Sequence, residues 1–397
     1  MPKLPQEIIE DILSRLPVKN LVQLKCVCKA WSALISDPQF AKARLKKTAK
    51  AKKTTITNLN KLFFANCPLQ TIDVEAFGDG DGDSISQQVG YPERSAPEIW
   101  ADIGGSCDGL VFLFCYSNDL LVLNPTTRDS RELPKPDTTY TSQDSVFYGL
   151  GYDVSIDDYK VVRGVISAAS SGSSSREAKV EVLELKTNTW KKIQYPHSSI
   201  NINGRGILSN GNLHWLGTRK SDLGYVRVII SFDLTDERFK EFAPVPEYII
   251  DGVDLGTLGD NVVIFCERGG TFYEVWEMEK YGVKESWTRL FSVSNEIFPY
   301  SEFCVTLVGF KKDGKVLLDF DGRELVEYNT KEETLRNFII DDDWDNFEAV
   351  IYEESLISPN VAVDDEAIRL NQAEDVEEKV ENSSEEVQIK KKGKKLE

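Results

Sequence analysis

Two histidines, His197 and His214, are the only imidazoles in 397 residues, which leaves scant material for a His-based metal centre or a Ser-His-Asp constellation. His214 stands in the alternating string GNLHWLG, a strand pattern in which a histidine is more often a satisfied interior group than a general base. Asp79, Asp81 and Asp83 alternate as the ligands of a calcium loop do, yet Ser84 stands where such a loop needs glycine and Gly90 where it needs a bidentate glutamate. A solvated turn suits them better. Gly149-Leu150-Gly151 lacks the third glycine of a dinucleotide loop and precedes a strand, not a helix. Trp190, Trp215, Trp276 and Trp287 recur at similar places in a repeat, which favours packing over a ligand cage. Carboxylates abound, Asp341 to Asp343 among them, without forming a recognisable catalytic pair. The seven cysteines (26, 28, 67, 107, 115, 266 and 304) contain no CxxC pair, so neither a zinc ribbon nor a disulfide framework is supported, and a reducing compartment is expected. The expectation is therefore a non-catalytic protein with no cofactor and no metal.

The chain is long enough for a small module beside a large one. Its net charge of −18 is unevenly spread. Residues 1–53 hold 12 Lys/Arg against 4 Asp/Glu, residues 54–360 hold 28 against 50, and the last 37 hold 7 against 11. An acidic body repels phosphate backbones and attracts basic proteins, so nucleic acid is an unlikely partner. The longest apolar run, about Leu110 to Tyr116, is far short of the ~20 residues that span a bilayer, and the first residues carry acids where a signal peptide is apolar. No membrane association is expected.

Leu4-Pro5 places a proline in the first turn of a helix, where its missing N–H costs nothing. Ile8, Ile9, Ile12, Leu13 and Leu16 then share an arc of about 140° at 100° per residue, and Pro17 ends the helix. A second helix is predicted from about Lys19 to Ile35, with Leu21, Leu24, Val27, Cys28, Trp31, Leu34 and Ile35 on one arc, ended by Asp37-Pro38. So much apolar surface in about 45 residues asks to be covered, by a partner or by the larger domain. The string LPQEIIEDILSRLPVKNLVQLKCVCKAWSALISDPQF, Leu4 to Phe40, resembles an F-box throughout. The resemblance implies that Leu4, Pro5, Ile8, Leu16, Pro17, Leu21, Val27, Cys28 and Trp31 dock the Skp-type adaptor of a cullin ubiquitin ligase, some of them filling the helical core instead. The fold expected here is a helical hairpin or three helices in residues 1–45. A basic tract at 46–53 follows, read as a solvated helical extension in preference to a nuclear-import or nucleic-acid element.

Beyond residue 54 the period changes to two-residue alternation. A hairpin recurs, read from DLLVLNPTTRDSRELP, KVEVLELKTNTWKKI, RVIISFDLTDERFKEF, TFYEVWEMEKYGVKESWTRLF and GRELVEYNTKEETLRNF, with turns near 126, 187, 235, 281 and 330. SAASSGSSS (Ser167 to Ser175) lengthens one unit, and GDGDGD (Gly78 to Asp83) marks a sixth turn. Units of about 50 residues with four short strands each predict a six-bladed β-propeller over residues 54–355. Its ring would close by pairing a strand within 54–64 with one near 349–352. The phrases SCDGLVFLF, LVLNPTTRDSRELP, YGLGYDVSIDDYKVV, GNLHWLG, IISFDL and VWEMEKYGVKESWTRL, in that order over about residues 100–340, are similar to the F-box-associated domain frequent in plants. That likeness implies a module that recruits a protein substrate and names none. Residues 356–397 are read as a charged, disordered tail, and its KKKGKK (390–395) as either a nuclear-import signal or a solvating run.

The leading expectation is a non-enzymatic substrate receptor of an SCF-type ubiquitin ligase, cytoplasmic, nuclear or both. Its alternatives are a propeller that binds or hydrolyses a glycan or small ligand beneath a helical cap, and an F-box protein acting outside a cullin assembly. The leading reading requires the apolar seam at Ile8, Leu16, Val27 and Trp31 to be at least partly uncovered in the single chain.

Overall fold

Pro5 leads into helix α1 (Gln6–Ser14), and Pro17 leads into α2 (Val18–Leu24). The continuous second helix suggested by periodicity is instead two, because the chain tightens after Leu24. The Cys26 and Val27 N–H groups donate to Gln23 and Leu24 carbonyls three residues back, and Cys28 takes an extended conformation with φ −160° and ψ 161°. Its thiol then accepts from the Trp31 N–H at 3.5 Å, capping α3 (Lys29–Ile35). Asp37 Oδ1 accepts from the Gln39 N–H at 2.8 Å and so caps α4 (Pro38–Lys52). That last helix takes up most of the basic tract, so the module has four helices, not two or three. Leu13, Val18, Leu21, Ile35 and Phe40 form its core.

The computed structural model describes residues 5–52, 60–65, 69–74, 87–89, 101–115, 119–168, 177–197, 199–221, 224–242, 245–246, 251–297, 305–311, 313–338 and 347–360. From residue 60 onward they form six antiparallel sheets arranged as the blades of a propeller. Blades 2, 3, 5 and 6 each take four consecutive strands, beginning at Ala101, Ser145, Asp251 and Val305. Each recurring turn read from the sequence joins the outer two strands of a blade. Side chains build several of these turns locally. Asn124, Asp233 and Asn329 each accept through Oδ1 from the N–H groups two and three residues on. Arg128, Asn188, Glu237 and Glu333 then take the left-handed conformation, with φ between 52° and 65°.

Blade 1 closes the ring. Its strand Asn60–Phe64 pairs antiparallel with Ala349–Glu353, Phe63 opposite Val350, and on its other edge with Gln70–Asp73. Gln70–Asp73 pairs in turn with Gln87–Gln88, across the GDGDGD segment, which lies outside the described residues. The expected closure is therefore found, with one difference: residues 349–353 are the innermost strand of the first blade, because the last repeat already completes its own four. Five apolar clusters fill interfaces between neighbouring blades. The sixth runs from the helical core through the contact of blades 2 and 3 to Leu356 and Ile357. Residues 356–359 are thus packed, not disordered, and the rest of the span read as a tail, 361–397, lies outside the described residues.

Blade 4 departs from the pattern. Ile200–Ile202 and Ile207–Ser209 pair with opposite ends of Asn212–Ser221. Between them Gly204–Arg205 swings across to pair in parallel with Phe147 and Tyr148 of blade 3. Gly149 and Gly151 serve this junction, because a Cβ on Gly149 would approach Leu213 Cδ1 to 2.8 Å and one on Gly151 would collide with Leu234. Their role is close packing of neighbouring blades, not phosphate binding.

Candidate functional site

The helical module leaves a set of apolar side chains facing solvent. Ile8 is 48% exposed, Ile12 49% and Val27 57%, while Pro5, Pro17 and Cys28 are exposed beside them. Leu16 and Trp31 are half-buried and rest against the helical core. Leu21, by contrast, is fully buried, so its place in the proposed docking set is corrected: it packs with Leu13, Val18 and Ile35 and offers no surface. Leu4 lies outside the described residues. Each large side chain that a partner fully buries is worth roughly 1.5–3 kcal/mol. Ile8, Ile12 and Val27 together therefore provide a usable apolar interface in so small a module.

The face is held to the rest of the protein by α4. Arg44 Nη2 donates to the Leu16 carbonyl at 3.0 Å, and Lys47 reaches Asp11 at 3.3 Å and Ser14 at 3.0 Å. Lys42 Nζ meets the Asp157 carboxylate at 2.6 Å, in the turn after the first strand of blade 3. Lys42, with the Tyr152 hydroxyl, holds the Asp157 carboxyl below its usual range. Partly exposed pairs of this kind contribute at most about 1 kcal/mol each. The continuous apolar cluster supplies the rest of the anchorage.

A second concavity sits at the other end of the propeller channel. The helices lie on the side of the turns joining first to second strands, as the Lys42 contact to Asp157 shows. The opposite mouth is a cavity of about 1000 Å³ where the innermost strands begin, and a smaller one of about 440 Å³ lies toward the helical side. The large mouth carries Asp102, Asp254, Asp319, Asp321 and Glu348 against Arg205 and Arg227. Arg205 lines both cavities and donates to the Ala349 carbonyl at 3.2 Å.

Carboxyls outnumber cations there, and their titration reflects it. Burial, with Glu348 nearby, pushes Asp102 up to about 6. Burial pushes Asp319 up to about 7, although the Gly322 N–H donates to it at 2.9 Å. Asp254 is likewise raised by burial. An acid whose folded pKa lies above the unfolded value binds a proton in the native state that the unfolded chain lacks, so stability falls as pH rises between the two. Asp319→Asn keeps the acceptor for Gly322 and removes the charge. Its unfolding midpoint should gain on the natural protein from about pH 5 to about pH 8, and the two should converge below about pH 4. A constant gap across that range would remove burial of Asp319 as the cause.

The other residues picked out by type prove structural. His214 is fully buried, its Nε2 lies 2.8 Å from the Tyr281 hydroxyl, and burial pushes its pKa down to about 4, which keeps the ring neutral. Trp190 donates to the Pro134 carbonyl at 2.7 Å and Trp215 to that of Tyr148 at 2.8 Å. Trp276 and Trp287 pack in the cluster between blades 4 and 5, so the four indoles form no common cage. Asp79, Asp81, Asp83 and Asp341 to Asp343 lie outside the described residues, among which no metal-ligating cluster occurs.

Comparison with known proteins bears on both ends of the molecule. Residues 1–42 match the F-box domain family, and residues 70–362 match the F-box associated beta propeller domain family. The chain is an F-box protein of the F-box-associated β-propeller family. It is 32% identical over 385 residues to the F-box protein CPR1 of Arabidopsis thaliana, covering 90% of this chain and 89% of that one. It is 31% identical over 303 residues to the F-box/kelch-repeat protein At3g23880 of the same plant, covering 73% and 79%. A solved structure of YjhT aligns at 12% identity and a TM-score of 0.39, over 57% of this chain and 80% of that one. F-box proteins are in general non-catalytic adaptor subunits of ubiquitin ligases.

The sequence identified the F-box module, and the channel mouth was not legible in it. Asp102, Arg205, Asp254, Asp319 and Glu348 are spread over some 250 positions and meet only when the ring closes. A usable signal did exist: Asp102 and Asp254 break otherwise apolar or glycine-rich innermost strands near their starts.

Proposed function

We propose that the protein is the substrate-recruiting subunit of an SCF-type ubiquitin ligase. Its F-box docks a Skp-type adaptor, and through it a cullin, while the propeller holds a protein target. The docking surface consists of Pro5, Ile8, Leu16, Pro17, Val27, Cys28 and Trp31, with Leu4 in front of them and Ile12 added alongside. The observation that supports it most is the exposed apolar set Ile8, Ile12 and Val27 on a module matching the F-box family. The subunit does no chemistry of its own. Holding a target lysine beside a ubiquitin-charged enzyme makes their encounter effectively intramolecular, and the α4 anchorage keeps that geometry fixed. We place the protein in the cytoplasm, the nucleus or both, where such ligases act.

The test is reconstitution. Purified protein mixed with a Skp-type adaptor and a cullin should elute as one stable complex. No complex with the adaptor would overturn the reading and favour a ligand-binding propeller. Adaptor without cullin would point to an F-box protein working outside such ligases.

A further inference from the structure

The large channel mouth opens away from the helices, so a molecule seated there would not compete with an adaptor. Its wall is rich in acceptors. Asp102 is half-buried on the innermost strand of blade 2, and neither its carboxylate nor that of Asp321 has a hydrogen-bond or ion-pair partner among the described residues. The Oδ1 of Asn201, in the same wall, also finds no donor among the described residues. Among the described residues five carboxyls face two guanidinium groups, and one of these, Arg227, is engaged with the Thr218 hydroxyl at 3.0 Å. A concave site with surplus negative charge is best matched by a cation bearing several N–H donors. It disfavours phosphates and acidic peptides.

The rim adds a second requirement. Tyr225 is 74% exposed and Phe272 44%, with Val226 and Ile297 also open to solvent. Tyr225, Val226 and Phe272 begin the third strands of blades 4 and 5, and Ile297 lies in the 3-10 turn after the last strand of blade 5, all on the side of this mouth but outside its lining. Exposed apolar side chains on the same side as an acidic cavity fit a segment in which a basic residue is flanked by apolar ones, and a metal ion or small polycation would leave them unused.

We propose that this mouth takes a lysine or arginine side chain from an extended segment of the recruited protein, with Asp102, Asp321 and Glu348 as counter-charges and Tyr225, Val226 and Phe272 holding its apolar neighbours. The proposal rests on the reading of the propeller as the recruiting module, and specifies the chemistry of what it recruits. The raised pKa values of Asp102 and Asp319 accord with it, since a bound cation would restore the ionised forms.

The probe is a display library of random twelve-residue peptides, selected against the full-length protein bound to its adaptor. Selected peptides should be enriched in Arg or Lys next to aliphatic or aromatic residues. Synthetic copies should lose at least about tenfold in affinity for Asp102→Asn/Asp321→Asn, which removes two charges from unpaired positions. Tyr225→Ser should weaken the same peptides without altering the fold, because the side chain is largely in solvent. Enrichment of acidic or neutral peptides, no enrichment at all, or binding indifferent to Asp102→Asn/Asp321→Asn would each overturn the proposal. Adaptor binding by the same preparation is read separately: if the adaptor binds and no basic peptide does, only this inference fails. If basic peptides bind a chain that ignores the adaptor, the ligase reading fails instead.

Discussion

Ile8→Asp combined with Val27→Asp should abolish capture of the Skp-type adaptor while the protein stays folded. Both side chains are about half exposed, and neither belongs to the buried cluster that holds the helices together. Ile8 lies in the first turn of α1, where an acidic residue is favoured by the helix dipole, and Val27 lies outside regular helix. The folded chain alone therefore has little to lose. In a complex each substitution removes roughly 1.5–3 kcal/mol of apolar burial and places an unpaired carboxylate in the interface, so a loss exceeding about a hundredfold is expected. Titration calorimetry against the adaptor reads the loss, and circular dichroism with a thermal melt reads the fold. Unchanged affinity would mean that the adaptor does not use this face. Leu21→Ala should behave in the opposite way, failing first in the melt.

The second large effect is expected at Asn124, which is fully buried where the segment after the closing strand passes over blade 2. Its Nδ2 lies 3.1 Å from the Ser355 carbonyl, 3.2 Å from the Ser355 hydroxyl and 2.7 Å from the Ile357 carbonyl. Its Oδ1 accepts from the Thr126 and Thr127 N–H groups. One amide thus shapes a turn and fastens the segment that follows the closing strand. Gly109 makes room for that segment, with φ +85° and no space for a Cβ beside the Ser355 side chain and the Glu353 carbonyl. Asn124→Ala strands buried polar groups at about 1–3 kcal/mol apiece, for a total near 3–5 kcal/mol. At this chain length that lowers the melting midpoint by about 5–8 °C. Asn124→Asp keeps the turn but turns a carboxylate toward the two carbonyls, and should be the worse of the two. A fall of less than about 2 °C for Asn124→Ala would show that the closing segment is held by apolar packing alone.

How much of this was legible depended on the range of the interactions. The outer hairpins could be read because a turn such as Asn124-Pro-Thr-Thr-Arg128 is decided by its own side chains. The closing pair could be read because a ring of blades leaves an open edge at each end of the repeat array, and Asn60–Phe64 and Ala349–Glu353 stand at those two ends. Residues 25–28 misled, since Leu21, Leu24, Val27 and Cys28 keep a helical period straight through the break. The period records which residues are apolar, and cannot show that Leu21 points inward while Val27 points out. The excursion of Gly204–Arg205 onto blade 3, and with it the charge at the channel mouth, depends on a neighbour more than 50 residues away.

The order in which the strands are made carries a further consequence. Ribosomes complete the helices roughly 300 residues before they reach Ala349, the start of the strand that shuts the ring. Throughout that interval the nascent chain offers the exposed apolar face of its helices without a closed propeller. A transcript cut short before residue 349 would encode more than a missing protein: on the proposed reading its product would tie up adaptor molecules and act as a dominant competitor of the intact receptor.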